Sequence, residues 1–387
     1  MSSSVLQNPR IPILQVIPAL DAGGAERTTV DVAAALVQDG FAAPVASNGG
    51  RLEPELAQVG GELIRMNAAS KAPHTMFANA LALRDIVRAR GVKLIHARSR
   101  APAWSALLAA RWSRVPFVVT YHGFYKASNP FKRFYNSVMV RGDAVIANSQ
   151  WTADHIAQEY RGGPARLAVV PRGVDLQTFD PAGISPQRVS DLRTSWNIGD
   201  GDFAVLLPGR LTRWKGQSVL IEALATLNCA HKLGHIHAIL AGDAQGRDAY
   251  EAELRKAMAD AGLADRIRIA GHISDIAVAY AAADVVLSTS TEPEAFGRVA
   301  AEASAMNKPV IATDHGGARE TVLADVSGLL VPPGDAGALA DTIIRIAAMP
   351  PETREQMGAA GRAHIVRNFS RERMCTDTIA LYRSLLS

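Results

Sequence analysis

Short apolar runs alternate with longer alanine-rich amphipathic runs along nearly the whole chain. "IPILQVIPAL" precedes "AERTTVDVAAALVQDG", "VKLIHAR" precedes "PAWSALLAARWSR", and "DAVIANS" precedes "WTADHIAQEY". This β-α-β rhythm calls for parallel sheet covered on both faces. It breaks between about residues 173 and 202, in "GVDLQTFDPAGISPQRVSDLRTSWNIGDGD", whose Gly, Pro and Asp content reads as a linker. It restarts with "FAVLLPGRL", "HAILAGD", "RIRIAGH", "DVVLSTS" and "KPVIATD". Two doubly wound α/β domains are therefore expected, residues 1–180 and 181–368, with ligand in the cleft where the strand C-termini of both face each other. The last run, residues 369–387, is amphipathic and is expected as a helix free to pack back across the first domain.

The chain of 387 residues is too long for one ordinary core, which agrees with two domains. Its two cysteines, Cys229 and Cys375, are far apart and form no CxxC, so neither a disulfide framework nor a zinc site is indicated. A reducing cytoplasm is the expected compartment. No apolar run approaches the roughly 18 residues of a membrane span. The start, with its two prolines and a glycine turn soon after, reads as a tail and first strand rather than a signal peptide. Charge is uneven: residues 1–180 hold 20 Lys and Arg against 13 Asp and Glu, whereas the remainder holds 21 against 24. A basic N-terminal half fits either a plain soluble surface or a polyanionic partner.

Three stretches carry chemistry. In "PALDAGGAERTTV", Gly23 and Gly24 stand between a strand and a helix, either as a simple tight turn or as backbone N–H groups offered to a phosphate at a helix N-terminus. The full G-x-G-x-x-G spacing is missing, which weakens a dehydrogenase reading. In "LLPGRLTRWKGQ", Arg210 and Lys215 bracket a strand-to-helix junction, where two cations can hold a diphosphate and neutralise it as a leaving group. In "EPEAFGRVAAE", Glu294 precedes a turn at Phe296 and Gly297, and Glu302 lies on the helix that starts near Arg298. One carboxylate could accept the hydroxyls of a sugar ring and the other those of a ribose; two glutamates at this spacing also occur as a solvated helix face.

"EAFGRVAAE" resembles the Glu-x7-Glu motif of the retaining glycosyltransferases of family 4, which have the GT-B fold. The similarity continues through "GGAE", "VVTYHG", "VIANS", "VVPRGVD", "PGRLTRWKG", "LAGD", "KPVIATDHGGARE" and "GLLVPPGD", in order. The resemblance implies that Gly24 contacts the donor's phosphates, that Arg210 and Lys215 bind its diphosphate, and that Glu294 holds the transferred sugar. It implies backbone support from Phe296 and Gly297, ribose binding by Glu302, a base pocket near Ile273, and a catalytic-site position for His122 near the sugar. Otherwise a histidine ending a strand is a satisfied core residue. Two positions depart from the common pattern: Arg172 stands where Asn is frequent, and Arg319 where Pro or a small residue is frequent. "HARSRAPAWSALLAARWSRVPFVVTYHGFY" is also similar to lipopolysaccharide-core mannosyl- and glycosyltransferases.

That family implies a donor such as GDP- or UDP-hexose and a front-face reaction without a metal or other cofactor. The Asp-x-Asp triplet Asp200-Gly201-Asp202 falls in the linker and reads as a solvated turn. Arg98, Arg100, Lys126, Lys132 and Arg133, interleaved with aromatics in the first domain, suit an anionic glycolipid acceptor and the cytoplasmic face of an inner membrane, bound peripherally. A solvated face is the alternative; nucleic acid is not expected, because no recognised module accompanies the cations.

Overall fold

The computed structural model describes residues 10–387 apart from 22, 124, 126–128 and 161. The chain divides into two units, residues up to 173 together with 371–387, and residues 174–370. The first contains strands β1 (Ile13–Val16), β2 (Pro44–Ser47), β3 (Glu62–Arg65), β4 (Leu94–Ala97), β5 (Phe117–Tyr121), β6 (Ala144–Ala147) and β7 (Leu167–Val169). They pair in parallel in the order β3-β2-β1-β4-β5-β6-β7. The second contains β8 (Phe203–Pro208), β9 (Ile236–Ala241), β10 (Ile267–Gly271), β11 (Val285–Ser288), β12 (Val310–Thr313) and β13 (Gly328–Val331), also parallel, in the order β10-β9-β8-β11-β12-β13. Both are doubly wound, Rossmann-like sheets, and each reverses its winding at one point: between β1 and β4 in the first, between β8 and β11 in the second.

Strand side chains alternate between two apolar layers in each unit. Leu14 and Val16 pack with the helices Pro73–Arg90 and Arg100–Ser113, while Ile13 and Ile17 face the helices Gly24–Gln38 and Arg371–Leu386. In the second unit Val205 and Leu207 meet Leu220, Leu224 and Ile343, and Ala204 and Leu206 meet the alanines of the helices Ile276–Ala282 and Arg298–Ala305. With both faces covered, each fully buried Leu, Ile or Val contributes about 1.5–3 kcal/mol. That explains why the strands read as apolar runs.

The stretch read as a linker is largely ordered on the second unit. It holds the helix Pro186–Ser195, with Pro at a position where its missing N–H costs nothing. Val189 and Leu192 of that helix pack against the core, Trp196 and Ile198 after it are buried within it, and Val174 bridges Ser370. Gly, Pro and Asp here mark the ends of a short helix rather than a tether.

The helix Arg371–Leu386 lies on the first unit over a buried polar cluster. Tyr382 Oη bonds His96 Nδ1, and His96 Nε2 bonds Thr120 Oγ1 at 2.7 Å. Beside them Arg98 Nε donates to Gln15 Oε1 at 2.8 Å. At the rim, Arg383 pairs with Asp39 at 2.8 Å and Arg166 donates to Ser384 at 2.8 Å. Replacing Tyr382 by Ala is expected to cost the first unit about 3–5 kcal/mol in urea unfolding, from lost packing and an orphaned imidazole nitrogen. Tyr382→Phe, which removes only the hydroxyl, should cost about 1–3 kcal/mol.

Candidate functional site

The loops after β8 and β11 meet where the second sheet reverses its winding, the position at which doubly wound sheets take ligands. After β8 come Gly209 and Arg210, then one turn of 3-10 helix, Arg213–Lys215, and the helix Gln217–Cys229. Gly216 joins the last two at φ +84°, and a Cβ on it would stand 2.1 Å from the carbonyl oxygen of Thr289. No other residue allows the β8 and β11 loops to lie so close. On the other side Gly316, at φ +63°, would place a Cβ 2.4 Å from the carbonyl oxygen of Glu294. The Glu294 turn is thus clamped between two glycine-bearing loops.

The clamp brings Lys215 Nζ to 2.6 Å from Glu294 Oε1 in a pair whose side chains are only 14% and 18% exposed. Ser290 Oγ donates to the same oxygen, which leaves Oε2 without a hydrogen bond from the described residues. The ammonium also sits 4.5 Å from the centre of the Trp214 ring. The carbonyl of Ser290 is held by Thr313 Oγ1 and His315 Nε2, each at 2.9 Å. Burial pushes the Glu294 carboxyl up, but the Lys215 charge and the hydrogen bonds from Lys215 and Ser290 outweigh it and hold the pKa below the ordinary carboxylate range.

Glu302 lies one turn into the helix Arg298–Ala305, whose N-cap is Gly297. Tyr280 Oη donates to its Oε2 at 2.8 Å, and Arg298 Nε lies 3.2 Å from Oε1. Here burial wins. It raises the carboxyl above its usual pKa, with Arg298 and Tyr280 offsetting only part. The Phe296 ring is buried against Phe369, so only its backbone faces the turn. Ile273 is half-buried past β10. Arg210 is exposed, and its carbonyl is anchored by Gln217 Nε2 at 3.0 Å.

The structure thus gathers Arg210, Lys215, Glu294, Phe296, Gly297 and Glu302 at one edge of one unit. The other named residues belong to the first unit. Gly23 caps the helix Gly24–Gln38 with extended backbone, and the carboxylate of Glu26 lies 2.0 Å from where a Cβ on Gly23 would be. Glu26 thus occupies the space beside Gly23 in the first turn of that helix. His122 directly follows β5, and its Nδ1 is 3.2 Å from Arg172 Nη2.

The basic residues assigned to an acceptor or membrane separate into different environments. Arg98 is 2% exposed and points inward, so it presents no charge to a surface. Arg100 is half-buried, bonded to Asn136 Oδ1 at 2.6 Å and stacked 4.7 Å over the Tyr125 ring. Lys126 lies outside the described residues. Lys132 and Arg133 are exposed on the helix Pro130–Asn136 beside Phe131, which is 88% exposed. Asp202 of the Asp-x-Asp triplet accepts from the backbone N–H of Gly199 at 2.8 Å, as in a local turn. Sequence reasoning missed Ser290, Tyr280 and Arg298, which contact the two carboxylates, and Thr313 and His315, which hold the Ser290 carbonyl. The polar run "STST" immediately after an apolar strand was the available signal.

Residues 22–178 match Glycosyltransferase Family 4, and residues 189–364 match Glycosyl transferases group 1. A D-inositol 3-phosphate glycosyltransferase of Xylanimonas cellulosilytica is 32% identical over 291 residues, spanning 71% of this chain and 68% of that one. A glycosyltransferase of Rickettsia africae ESF-5 superposes with a TM-score of 0.89 at 36% identity, over 98% of this chain and 100% of that one. HepE of Anabaena, in a crystal structure with UDP and glucose, superposes with a TM-score of 0.81 at 30% identity, over 97% and 100% of the two chains.

The opposite treatment of the two glutamates has a measurable signature. Because the folded pKa of Glu302 is raised, its protonated form stabilises the fold at low pH, and that stability is lost as pH rises through the folded pKa. Glu302→Gln should therefore be more stable than the parent at about pH 7 and no more stable near pH 4, where both side chains are neutral. Glu294 has the reverse sign: its contribution is present at neutral pH and is lost as pH falls through its lowered pKa. Lys215→Met should remove that contribution and cost about 3–5 kcal/mol at neutral pH by leaving a buried carboxylate unpaired. Thermal unfolding followed across pH checks both.

Proposed function

The chain belongs to glycosyltransferase family 4, and within that family we propose that it is a retaining, metal-independent hexosyltransferase using a nucleoside diphosphate hexose. The Lys215–Glu294 pair carries this reading, because it sets a cation and an accepting carboxylate oxygen side by side at a ligand-binding sheet edge. An ammonium has three N–H donors, and one is committed to Glu294. The other two, with the exposed Arg210, would hold the donor's diphosphate. Glu294 Oε2 would accept hydroxyls of the sugar, and Glu302, on its helix one turn away, those of the ribose. UDP is favoured as the nucleotide by the bound UDP of HepE; mannose is retained among the candidate sugars from the sequence.

In the proposed step the bond from the sugar C1 to the diphosphate oxygen breaks first, and Arg210 and Lys215 take up the charge that develops there. The acceptor hydroxyl then bonds C1 on the same face, and its proton goes to the departing diphosphate. This retains configuration and needs no separate enzyme base or metal.

For the acceptor we infer a phosphate- or carboxylate-bearing glycan linked to a lipid, such as a lipopolysaccharide core, reached from a membrane surface. The exposed Phe131, Lys132 and Arg133 support peripheral binding. Among the described residues no helix is long and apolar enough to cross a membrane. A small phosphorylated polyol is the second reading, favoured by the inositol 3-phosphate in the relative's name.

Lys215→Ala and Arg210→Ala should each lower donor turnover by about 10²–10³-fold. A chelator should leave the parent's rate unchanged, and unaltered turnover in the double variant would sink the proposal. A panel of UDP- and GDP-hexoses should raise the melting temperature for the true donor. Flotation with anionic liposomes at low salt separates the acceptors. Binding that Lys132→Glu and Arg133→Glu abolish, with donor hydrolysis intact, favours the lipid-linked glycan, and no binding favours the polyol.

A further inference from the structure

The hydrogen bond between Arg172 Nη2 and His122 Nδ1, 3.2 Å long, has a direction that chemistry fixes. A guanidinium offers only donors and stays protonated, so Nδ1 must accept. It therefore carries no hydrogen, and the single proton of the neutral ring sits on Nε2. Nε2 is buried and finds no partner among the described residues. Buried donors are nearly always satisfied, so this N–H is an open valence that a ligand would complete. At this position the related pattern often has Asn, whose amide can either donate or accept and so leaves the ring's tautomer open. Arginine closes the choice.

The surroundings push the same way. Arg172 follows β7, and Arg98, at the end of β4, is buried with its Nη2 unpartnered. The backbone carbonyl of His122 is approached by Asn148 Nδ2 at 3.5 Å. Burial, then the charges of Arg172 and Arg98, hold the imidazole well below its ordinary pKa, so it stays neutral at physiological pH.

We propose that Arg172 is a positioning residue that locks His122 as a neutral Nε2–H donor to an oxygen of the substrate bound at the C-terminal ends of the first sheet. His122 then takes no proton in the reaction. This deepens the glycosyltransferase reading, on which the word substrate rests, and it agrees with a step in which the leaving diphosphate is the base.

The test is nitrogen NMR on the full chain labelled with ¹⁵N-histidine, with the His122 signals identified by their loss in His122→Gln. In the parent, Nε2 should be protonated and Nδ1 bare, with no titration between about pH 5.5 and 8. A protonated Nδ1, or a titration in that window, overturns the proposal without recourse to any variant. Arg172→Asn should release both tautomers of the still buried, neutral ring and lower transfer about tenfold at saturating donor with little change in donor KM. Arg172→Lys, which still donates, should keep Nδ1 bare and recover most of the rate. An unchanged ring in Arg172→Asn also overturns the proposal. A locked ring in a protein that transfers no sugar would support the lock and overturn the assigned reaction, so the two failures are told apart.

Discussion

A lysine and a glutamate held almost out of water must satisfy each other, and the second unit is shaped around that requirement. Removing two charges from solvent costs several kcal/mol per ion, offset only when geometry is close and further hydrogen bonds share the charge. Here Ser290 shares the Glu294 oxygen that Lys215 holds, Trp214 faces the ammonium, and Thr313 and His315 fix the loop that carries Ser290. The glycines at 216 and 316 let three loops approach closely enough for the pair to form. The arrangement is pre-set, so a ligand arriving there meets charges already oriented and desolvated.

Two carboxylates eight residues apart are handled in opposite ways. Glu294 is kept ionised by a direct ammonium contact, whereas Glu302, with a tyrosine hydroxyl and a partly exposed arginine, is pushed toward its protonated form by burial. One thus tolerates a neighbouring anion poorly unless cations intervene, and the other exchanges hydrogen bonds with hydroxyls at little electrostatic cost.

The parallel sheets were legible in the sequence because strands covered on both faces must be apolar along their length, and helical runs of the right size separated them. The glutamates were picked out by their resemblance to a Glu-x7-Glu motif, and the two cations by their place at a strand-to-helix junction. Their partners were not: Tyr280 and His315 reach Glu302 and the Ser290 carbonyl through folding, from positions that are ordinary in sequence. The helix Pro186–Ser195 was hidden because Pro and Asp signal both loops and helix starts, and only burial of Trp196 and Ile198 decides between them. Arg98 misled for a similar reason. A cation in a basic half reads as surface, yet its strand-end position turns it inward onto Gln15.

The helix Arg371–Leu386 belongs to the first unit although nearly two hundred residues of the second precede it. Synthesis is vectorial and domains usually fold as they emerge, N-terminal first. Until that helix is made, His96 lacks the Tyr382 hydroxyl that it bonds in the folded chain. A polypeptide that stopped just after residue 370 would hold every residue of the second unit and lack the helix that seals the first. In such a shortened chain a protease would meet that open seam first.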